Sequence, residues 1–555
     1  MKIPSYLSDR DFRYAVFLLK KIATYNSARR EWFPSRSKLH RLPKQKIAEI
    51  VLELNRLGVQ ETSEVWELLN EIKTKPIDFD GNYVYIRFDD EKQFAYYCDL
   101  AEEKLAYEIR KWDPEAGGYY REKIRRYWVN EETYTIKTFR GLLPRIPEAY
   151  AEAHYYNIQC KDIEYLRPYQ KEALQHILEQ FKHCGAATLQ AAAGAGKTEI
   201  AVATYQALNC PKTFFLSLNT DLLIQAKHRF EKYGFQAGLV TSEYFEIDKN
   251  VVCCTVQTLY KCISQLQKAK YNRYQIDSEI KSLLEEHQVR DPVKLVRVFK
   301  KTKLVIFDEV QHVPANTVWT TLSYHQHCLR LGLSATPWRD DQRDLDIYAL
   351  CGEPVKRKIT SSELIEKGFL VPATIFMVRY PHQLIGDYTW NQVVKKVLYD
   401  ENRMQLIVKL LRNLPKPFMI LVREIRQGRK LNVKLRAAGY KTYFVSSRVS
   451  PSQRNEVFEK IRKHEIDGIV ATTLADEGLD LPALRTLILA GGGKSSTRAL
   501  QRVGRVIRPY PGKNKGIVVD IWDIAPFFLE HGEKRLQIYR TEPRWKIKIV
   551  DVKGV

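Results

Sequence analysis

The residues best suited to chemistry are Gly194, Gly196, Lys197 and Thr198, inside Leu189–Val202, LQAAAGAGKTEIAV. Glycines let backbone N–H groups close around phosphate oxygens where a helix N-terminus is already partly positive. In such a cradle, which includes Ala195, Lys197 reaches the β- and γ-phosphates of a nucleoside triphosphate and the Thr198 hydroxyl holds magnesium. The usual pattern opens with glycine six residues before the lysine; here that position is Ala191, so the form is AxxGxGKT. Further on, Lys303–His312 reads KLVIFDEVQH. Leu304–Phe307 is a short apolar run, as in a buried parallel strand, and two carboxylates follow where open α/β sheets place ligands. Asp308 fits a magnesium-binding acid, and Glu309 the group that positions or polarises an attacking water.

Four more segments fall in order around these two. They are Leu166–Gln170 (LRPYQ), Leu331–Arg339 (LGLSATPWR), Ala471–Pro482 (ATTLADEGLDLP) and Gln501–Pro509 (QRVGRVIRP). Together the motifs resemble those of superfamily 2 helicases, most of all the XPB/UvsW branch, across roughly residues 160–525. The resemblance implies that Arg167 and Gln170 recognise adenine, and that Ser334–Thr336 couple ATP hydrolysis to domain movement. It implies that Gly478, Asp480 and Gln501 face nucleotide, and that Arg505 and Arg508 are arginine fingers. Two departures stand out. The family often has histidine where this chain has Gln311, whose amide can still donate and accept. A related branch has Arg-Glu-Asp after the third motif, where this chain has Arg339-Asp340-Asp341; a surface charge cluster is the other reading.

The chain has 555 residues, 45% of them hydrophobic, a formal net charge of +23 and nine scattered cysteines. The charge favours a polyanionic partner. The absence of a CxxC pair argues against zinc or an iron–sulfur cluster, and no apolar run reaches membrane-spanning length. A reducing compartment, cytoplasmic or nucleoid-associated, is expected.

The expected fold class is α/β, with two tandem RecA-like parallel-sheet domains behind a small helical domain and a small α+β domain. In residues 1–78, Phe12, Val16, Leu19 and Ala23 repeat at helical spacing, Ser35 caps a short helix, and a third helix through Ile47–Leu57 ends at Gly58. This layout resembles a winged-helix or helix-turn-helix module. Arg36, Lys38, Arg41, Lys44 and Lys46 give it a basic face, for DNA or for docking a protein partner. Residues 79–160 read as β-α-β-β-α, with strand Tyr83–Phe88, helix Phe94–Ile109, strands Tyr119–Val129 and Thr133–Phe139, and a helix through Ala149 and Ala153. Arg125, Arg126 and Trp128 mix cations with an aromatic, for phosphates and bases or as an ordinary alternating strand. Residues 161–345 form the first motor domain, in which Asn219, Thr220, Thr255 and Thr258 fall where the family touches the nucleic-acid backbone. A charged helical insertion lies between Cys262 and Thr302. Residues 346–360 link to a second motor domain, 361–555, whose tail at Arg544–Val552 adds an edge strand.

The expected activity is ATP- and magnesium-dependent unwinding or remodelling of duplex, forked or single-stranded DNA. The alternatives are an RNA helicase, the motor subunit of a nuclease, defence or repair complex, or an ATP-driven DNA sensor.

Overall fold

The computed structural model describes residues 1–552 except 40, 41, 43, 61, 72–76, 114–116, 159–162, 272–290, 340, 385, 447, 473–480, 494 and 495. Two all-parallel sheets dominate. The first runs in spatial order Ala237–Val240, Val251–Thr255, Thr213–Ser217, Leu304–Asp308, Leu329–Ser334, Ala186–Gln190. Every residue of its four inner strands Val251–Thr255, Thr213–Ser217, Leu304–Asp308 and Leu329–Ser334 is buried, because helices cover both faces. The second has Thr442–Val445, Gly468–Thr472, Phe418–Val422, Thr486–Leu489, Gly516–Ile524, Ala373–Pro381 and Lys546–Asp551 side by side. The last is the tail strand, which forms the edge of the sheet and pairs in parallel with Ala373–Pro381.

The N-terminal unit departs from its expected form. Helix Asp9–Ile22 is capped by the Ser8 hydroxyl, which accepts from the Asp11 N–H at 3.2 Å. It buries Ala15, Leu18, Leu19 and Ile22. The stripe is rotated from the expected one, since Phe12 is 48% exposed and Ala23 already belongs to a strand. A hairpin, Ala23–Asn26 against Glu31–Pro34, separates this helix from Arg36–Leu39. Lys38, expected on a basic face, instead donates to the Lys20 and Ala23 carbonyls at 3.0 and 2.6 Å and closes the first helix. Helix Lys44–Arg56 buries Ile47, Ile50, Val51 and Leu54, and Gly58 follows it at φ 72°.

The small α+β unit also differs in detail. Its helix, Glu91–Lys104, stops before Ile109, which lies in strand Ala106–Asp113. The stretch Tyr119–Val129 breaks at Arg126 into two strands of different sheets. Gly118–Arg125 forms a two-stranded arm with Ala106–Asp113. Tyr127–Asn130 joins the sheet Ile77–Asp80, Tyr83–Arg87, Thr135–Phe139. This unit shares one hydrophobic core with the first motor, from Val84 and Ile136 through Leu142 to Phe214 and Phe307. The buried Arg330 fastens the seam, donating to Asn82 Oδ1 at 2.6 Å and to the Leu322 and Leu350 carbonyls at 2.7 and 3.1 Å.

Residues 346–360 are not a free linker. Asp344–Cys351 is a helix with all but its first residue buried, and Pro354 and Ile359 bridge to Thr188 and Ala191 alongside the first sheet. The Cys262–Thr302 segment is helical over Val256–Tyr271 and Pro292–Lys300, and its middle lies outside the described residues. Among the described residues no helix is long and apolar enough to cross a membrane.

At Gly141 the two units touch backbone to backbone, and a Cβ there would sit 2.2 Å from the Tyr348 carbonyl oxygen. Gly141→Ala is therefore expected to destabilise the protein by about 3 kcal/mol, read by urea unfolding. An unchanged midpoint would mean that the seam has slack.

Candidate nucleotide site

Strand Ala186–Gln190 ends at the loop that leads into helix Lys197–Ala207. Gly194 and Gly196 sit at φ 84° and 80°, the left-handed region that glycine enters at little cost. Ala191 keeps φ outside that region. It is buried, and its N–H donates to the Ser334 carbonyl at 2.9 Å. The absent glycine is thus explained, because this backbone does not need one there. The Gln170 amide and the Tyr169 hydroxyl donate to the Ala195 carbonyl at 3.1 and 3.2 Å, bracing the loop. Gln170 Oε1 accepts from the Arg167 N–H at 3.0 Å. The Arg167 guanidinium lies 4.0 Å from the ring centre of Phe369, in the segment entering the second motor. Phe369 was not singled out from sequence, where it is one aromatic in an unremarkable stretch.

Asp308 ends its strand almost fully buried. Burial pushes its carboxyl up to about 7, the neighbouring Glu309 charge adds to this, and Lys197 opposes it. A buried carboxylate close enough to Lys197 for their charges to interact, with a hydroxyl on the adjoining Thr198, offers hard oxygen donors, which fit magnesium. Lys197 Nζ reaches back to the Ala191 carbonyl at 3.4 Å. Glu309 is held at φ 64°, a left-handed conformation that costs a non-glycine residue about 1 kcal/mol or more. Its N–H donates to the Leu333 carbonyl at 2.8 Å, which fixes the turn.

From Glu309 a chain of hydrogen bonds runs outward. Gln311 Nε2 donates to Glu309 Oε2 at 2.7 Å, and Gln311 Oε1 accepts from the Ser334 hydroxyl at 2.8 Å. Ser334 Oγ in turn accepts from the Thr336 N–H at 2.9 Å. From across the cleft, Gln501 Nε2 donates to the same Glu309 Oε2 at 2.9 Å. Gln501 lies on helix Ser496–Val506, and Arg505 is one turn further along the same face. Gly504 on this helix packs against Ala193, where a Cβ would come within 2.5 Å of the alanine methyl. Arg508 Cγ would lie 4.0 Å from a Cβ on Gly194. The two motors thus meet with Gln501, Gly504 and Arg508 against the phosphate loop and the acidic pair. Arg339 is tied in as well, donating to the Gln311 carbonyl at 2.8 Å and gripping Asp341 at 2.6 and 2.8 Å.

Other sequence candidates lie elsewhere. Gly478 and Asp480 are outside the described residues. Asn219 caps helix Thr220–Lys232 by accepting from the Asp221 N–H at 2.8 Å, and Asp221 pairs with Arg454 of the second motor at 3.0 Å. Thr255 and Thr258 are each 8% exposed and join hydroxyls at 2.7 Å. Arg125 pairs with Glu102 at 2.9 and 3.0 Å. Arg126 meets the fully buried Asp346 at 2.7 Å and lies over Trp319, so it acts as a strut between units. Trp128 is half-exposed and packs on Tyr83 and Phe139.

Residues 164–339 match the family model described as type III restriction enzyme, res subunit, and residues 402–510 match the helicase conserved C-terminal domain. The first match carries the phosphate loop, the acidic pair and Ser334–Thr336, and the second carries Gln501, Arg505 and Arg508. The chain is a superfamily 2 helicase. Helicase 22 of Sulfolobus islandicus filamentous virus is 28% identical to this helicase over 97% of the chain and 96% of its own length. DNA 3'-5' translocase XPB2 of Sulfurisphaera tokodaii is 22% identical over 72% of this helicase and 89% of its own length. DNA 3'-5' helicase Rad25 of Halobacterium salinarum is 26% identical over 62% of the chain, which spans about half of that relative, 52%.

Gln501→Ala removes one of the two amides on Glu309 and the one that crosses the cleft. It is expected to lower the ATP turnover number of this helicase about tenfold while leaving KM for ATP within about twofold. A turnover number equal to wild type in a steady-state assay would show that the bond does not couple the motors.

Proposed function

We propose that this chain is an ATP-dependent DNA helicase or translocase that unwinds or remodels duplex or branched DNA. The observation that carries the reading is the convergence of Gln311 and Gln501, from opposite motors, on one oxygen of Glu309. Such an arrangement lets the state of the catalytic pocket set the spacing of the two motors.

ATP enters between the motors. Lys197 leaves the Ala191 carbonyl for the β- and γ-phosphates, the loop N–H groups cradle the phosphate chain, and Gln170 and Arg167 meet the base. Thr198 and Asp308 would hold magnesium, which supplies charge neutralisation at the phosphates and keeps Asp308 ionised. Glu309 exchanges an amide for a water and orients it on the γ-phosphorus. The water–phosphorus bond forms as the bond to the β,γ-bridging oxygen breaks, giving ADP and phosphate. Arg505 and Arg508 neutralise the charge that develops, a contribution worth about a thousandfold or more in related motors. When phosphate leaves, the arginines lose the group that held them and the cleft opens. The nucleic-acid strand crosses both motors near Thr220, where backbone contacts are blind to sequence. Closure and opening then become movement along that strand.

DNA is favoured over RNA because relatives along most of the chain are described as DNA helicases or translocases. A second reading, a motor subunit within a larger assembly, has one observation behind it. Helix Asp9–Ile22 exposes Tyr14 and Phe17, three residues apart and so neighbours on one face, at 44% and 53%, as a surface that docks a protein would.

ATP hydrolysis measured with single-stranded DNA, duplex DNA, a model fork and single-stranded RNA tests the proposal, with Glu309→Gln as the blank. DNA is expected to stimulate at least about tenfold more than RNA, and Glu309→Gln to lose about a thousandfold in turnover. Equal stimulation by RNA would overturn the DNA assignment.

A further inference from the structure

An open sheet edge offers unpaired backbone groups to any passing strand, and most proteins cover it. Three of the four outer strands of the two motor sheets are covered. Ala237–Val240 is wholly buried, and neither Thr442–Val445 nor Ala186–Gln190 contains an exposed residue. The bridge from Pro354 to Thr188 flanks the last of these. The fourth, the tail strand Lys546–Asp551, is different. Five of its six residues are exposed, and Ile547 alone is tucked against the core. One side of it pairs with Thr374–Arg379 of the neighbouring strand, and among the described residues no strand pairs with its other side. That side presents a row of alternating N–H and C=O groups.

The side chains say what the row can take. Ile547, Ile549 and Asp551 share one face, and Lys546, Lys548 and Val550 the other. Ile549 and Val550 are 47% and 42% exposed, so each face leaves an apolar side chain uncovered beside the open row. The strand's charge is unbalanced. Asp551 is taken by Arg379 of the neighbouring strand at 3.2 Å. Neither lysine has an ion pair among the described residues, and Lys548 lies over the Phe376 ring at 5.7 Å. Edge lysines turn away strands that bring no opposite charge. A second copy of this chain is also repelled as a whole, since each carries +23. A strand with carboxylates opposite the lysines is attracted, because opposite charges across a strand pair stabilise it. Nucleic acid would neutralise the lysines but has no donor–acceptor row to match the backbone and nothing to cover Ile549.

We propose that the outer edge of Lys546–Asp551 is a docking site for an extended acidic segment of a partner protein, which joins the second sheet as a further strand. Main-chain hydrogen bonds supply the affinity, and Lys546 and Lys548 select the charge of the occupant. The edge lies two strands out from Gly516–Ile524, on which the helix carrying Gln501 packs, so a strand added there leaves the nucleotide cleft open. The site does not depend on whether the motor runs on DNA or RNA.

The test uses the full chain and fluorescent peptides as long as the strand, read by anisotropy. The probe alternates glutamate with valine. One control replaces glutamate by lysine, and another keeps the glutamates but is N-methylated throughout, so that it has charge but no N–H. The wild-type chain is expected to bind the acidic peptide at least about tenfold more tightly than either control. The double variant Lys546→Glu, Lys548→Glu changes only exposed side chains. It is expected to exchange the acidic peptide for the lysine one while its ATP turnover stays within twofold of wild type. Absence of binding by the acidic peptide would overturn the proposal. So would equal binding of the N-methylated peptide, which would reduce the edge to a patch of surface charge. A wild-type chain that is dimeric by sedimentation and monomeric as Ile549→Lys would give the edge to a second copy and overturn it too. A double variant that loses affinity for DNA and none for the acidic peptide would do the same in favour of nucleic acid.

Discussion

One carboxylate oxygen is the point on which the molecule closes. Glu309 Oε2 takes a hydrogen bond from Gln311 in its own motor and another from Gln501 in the other. Charge-assisted bonds of this kind are roughly twice as strong as neutral ones, and a closed cleft strengthens them further by lowering the local dielectric. A carboxylate left there without donors would be costly, so whatever displaces one amide has to satisfy that oxygen in its place. A water positioned for attack does so. In the proposed cycle the position of that water is tied to the contact between the motors, through Gln501 on one side and through Gln311, Ser334 and Thr336 on the other.

For that bond to transmit force, its surroundings have to be stiff. The strained turn at Glu309 is held by the Leu333 carbonyl, and Ser334 continues the same strand. On the far side the first motor is welded to the small α+β unit. Arg330 and Arg140 are both buried there and face carbonyl oxygens and an amide rather than carboxylates. Each such charge costs several kcal/mol to remove from water, so the seam is favourable only while all its acceptors stay in place. Such a joint comes apart all at once or not at all. These buried bonds and the shared core join the small unit to the first motor.

The chemistry of this chain was legible in sequence because phosphate chemistry needs particular residues at particular spacings. Both left-handed glycines and the buried strand before Asp308 follow from that demand, whereas the bond of Gln170 to the Ala195 carbonyl was not read from sequence, where Gln170 stood as an adenine contact. What was not legible depended on where the chain turns back on itself. Nothing local distinguishes Arg125 from Arg126, yet one ends the arm and the other pins it to Asp346, many residues away in sequence. Lys38 read as a basic surface residue because its partners, the carbonyls ending the first helix, are offered only once the hairpin Ala23–Pro34 folds. Phe12 fell on the expected apolar stripe, but the helix turned its other flank to the core. In the stretch after residue 345, the apolar run Ile347–Cys351 was itself the signal of a buried helix, overridden by the turn residues Gly352 and Pro354.

Gln311 shows how a departure from a family pattern can be a change of physics rather than a loss. The position has to donate to Glu309 and accept from Ser334 at the same time, and the structure shows both bonds at 2.7 and 2.8 Å. A histidine manages this only as one neutral tautomer. Its protonated form would turn the acceptor into a second donor and leave Ser334 unmatched. An amide has a fixed donor end and a fixed acceptor end at every pH the protein meets. Arg339 makes the choice workable by gripping the Gln311 carbonyl, so the backbone that aims the amide cannot swing. The relay that leads from Glu309 to the segment that carries the arm is thus built from groups whose hydrogen-bonding sense does not titrate.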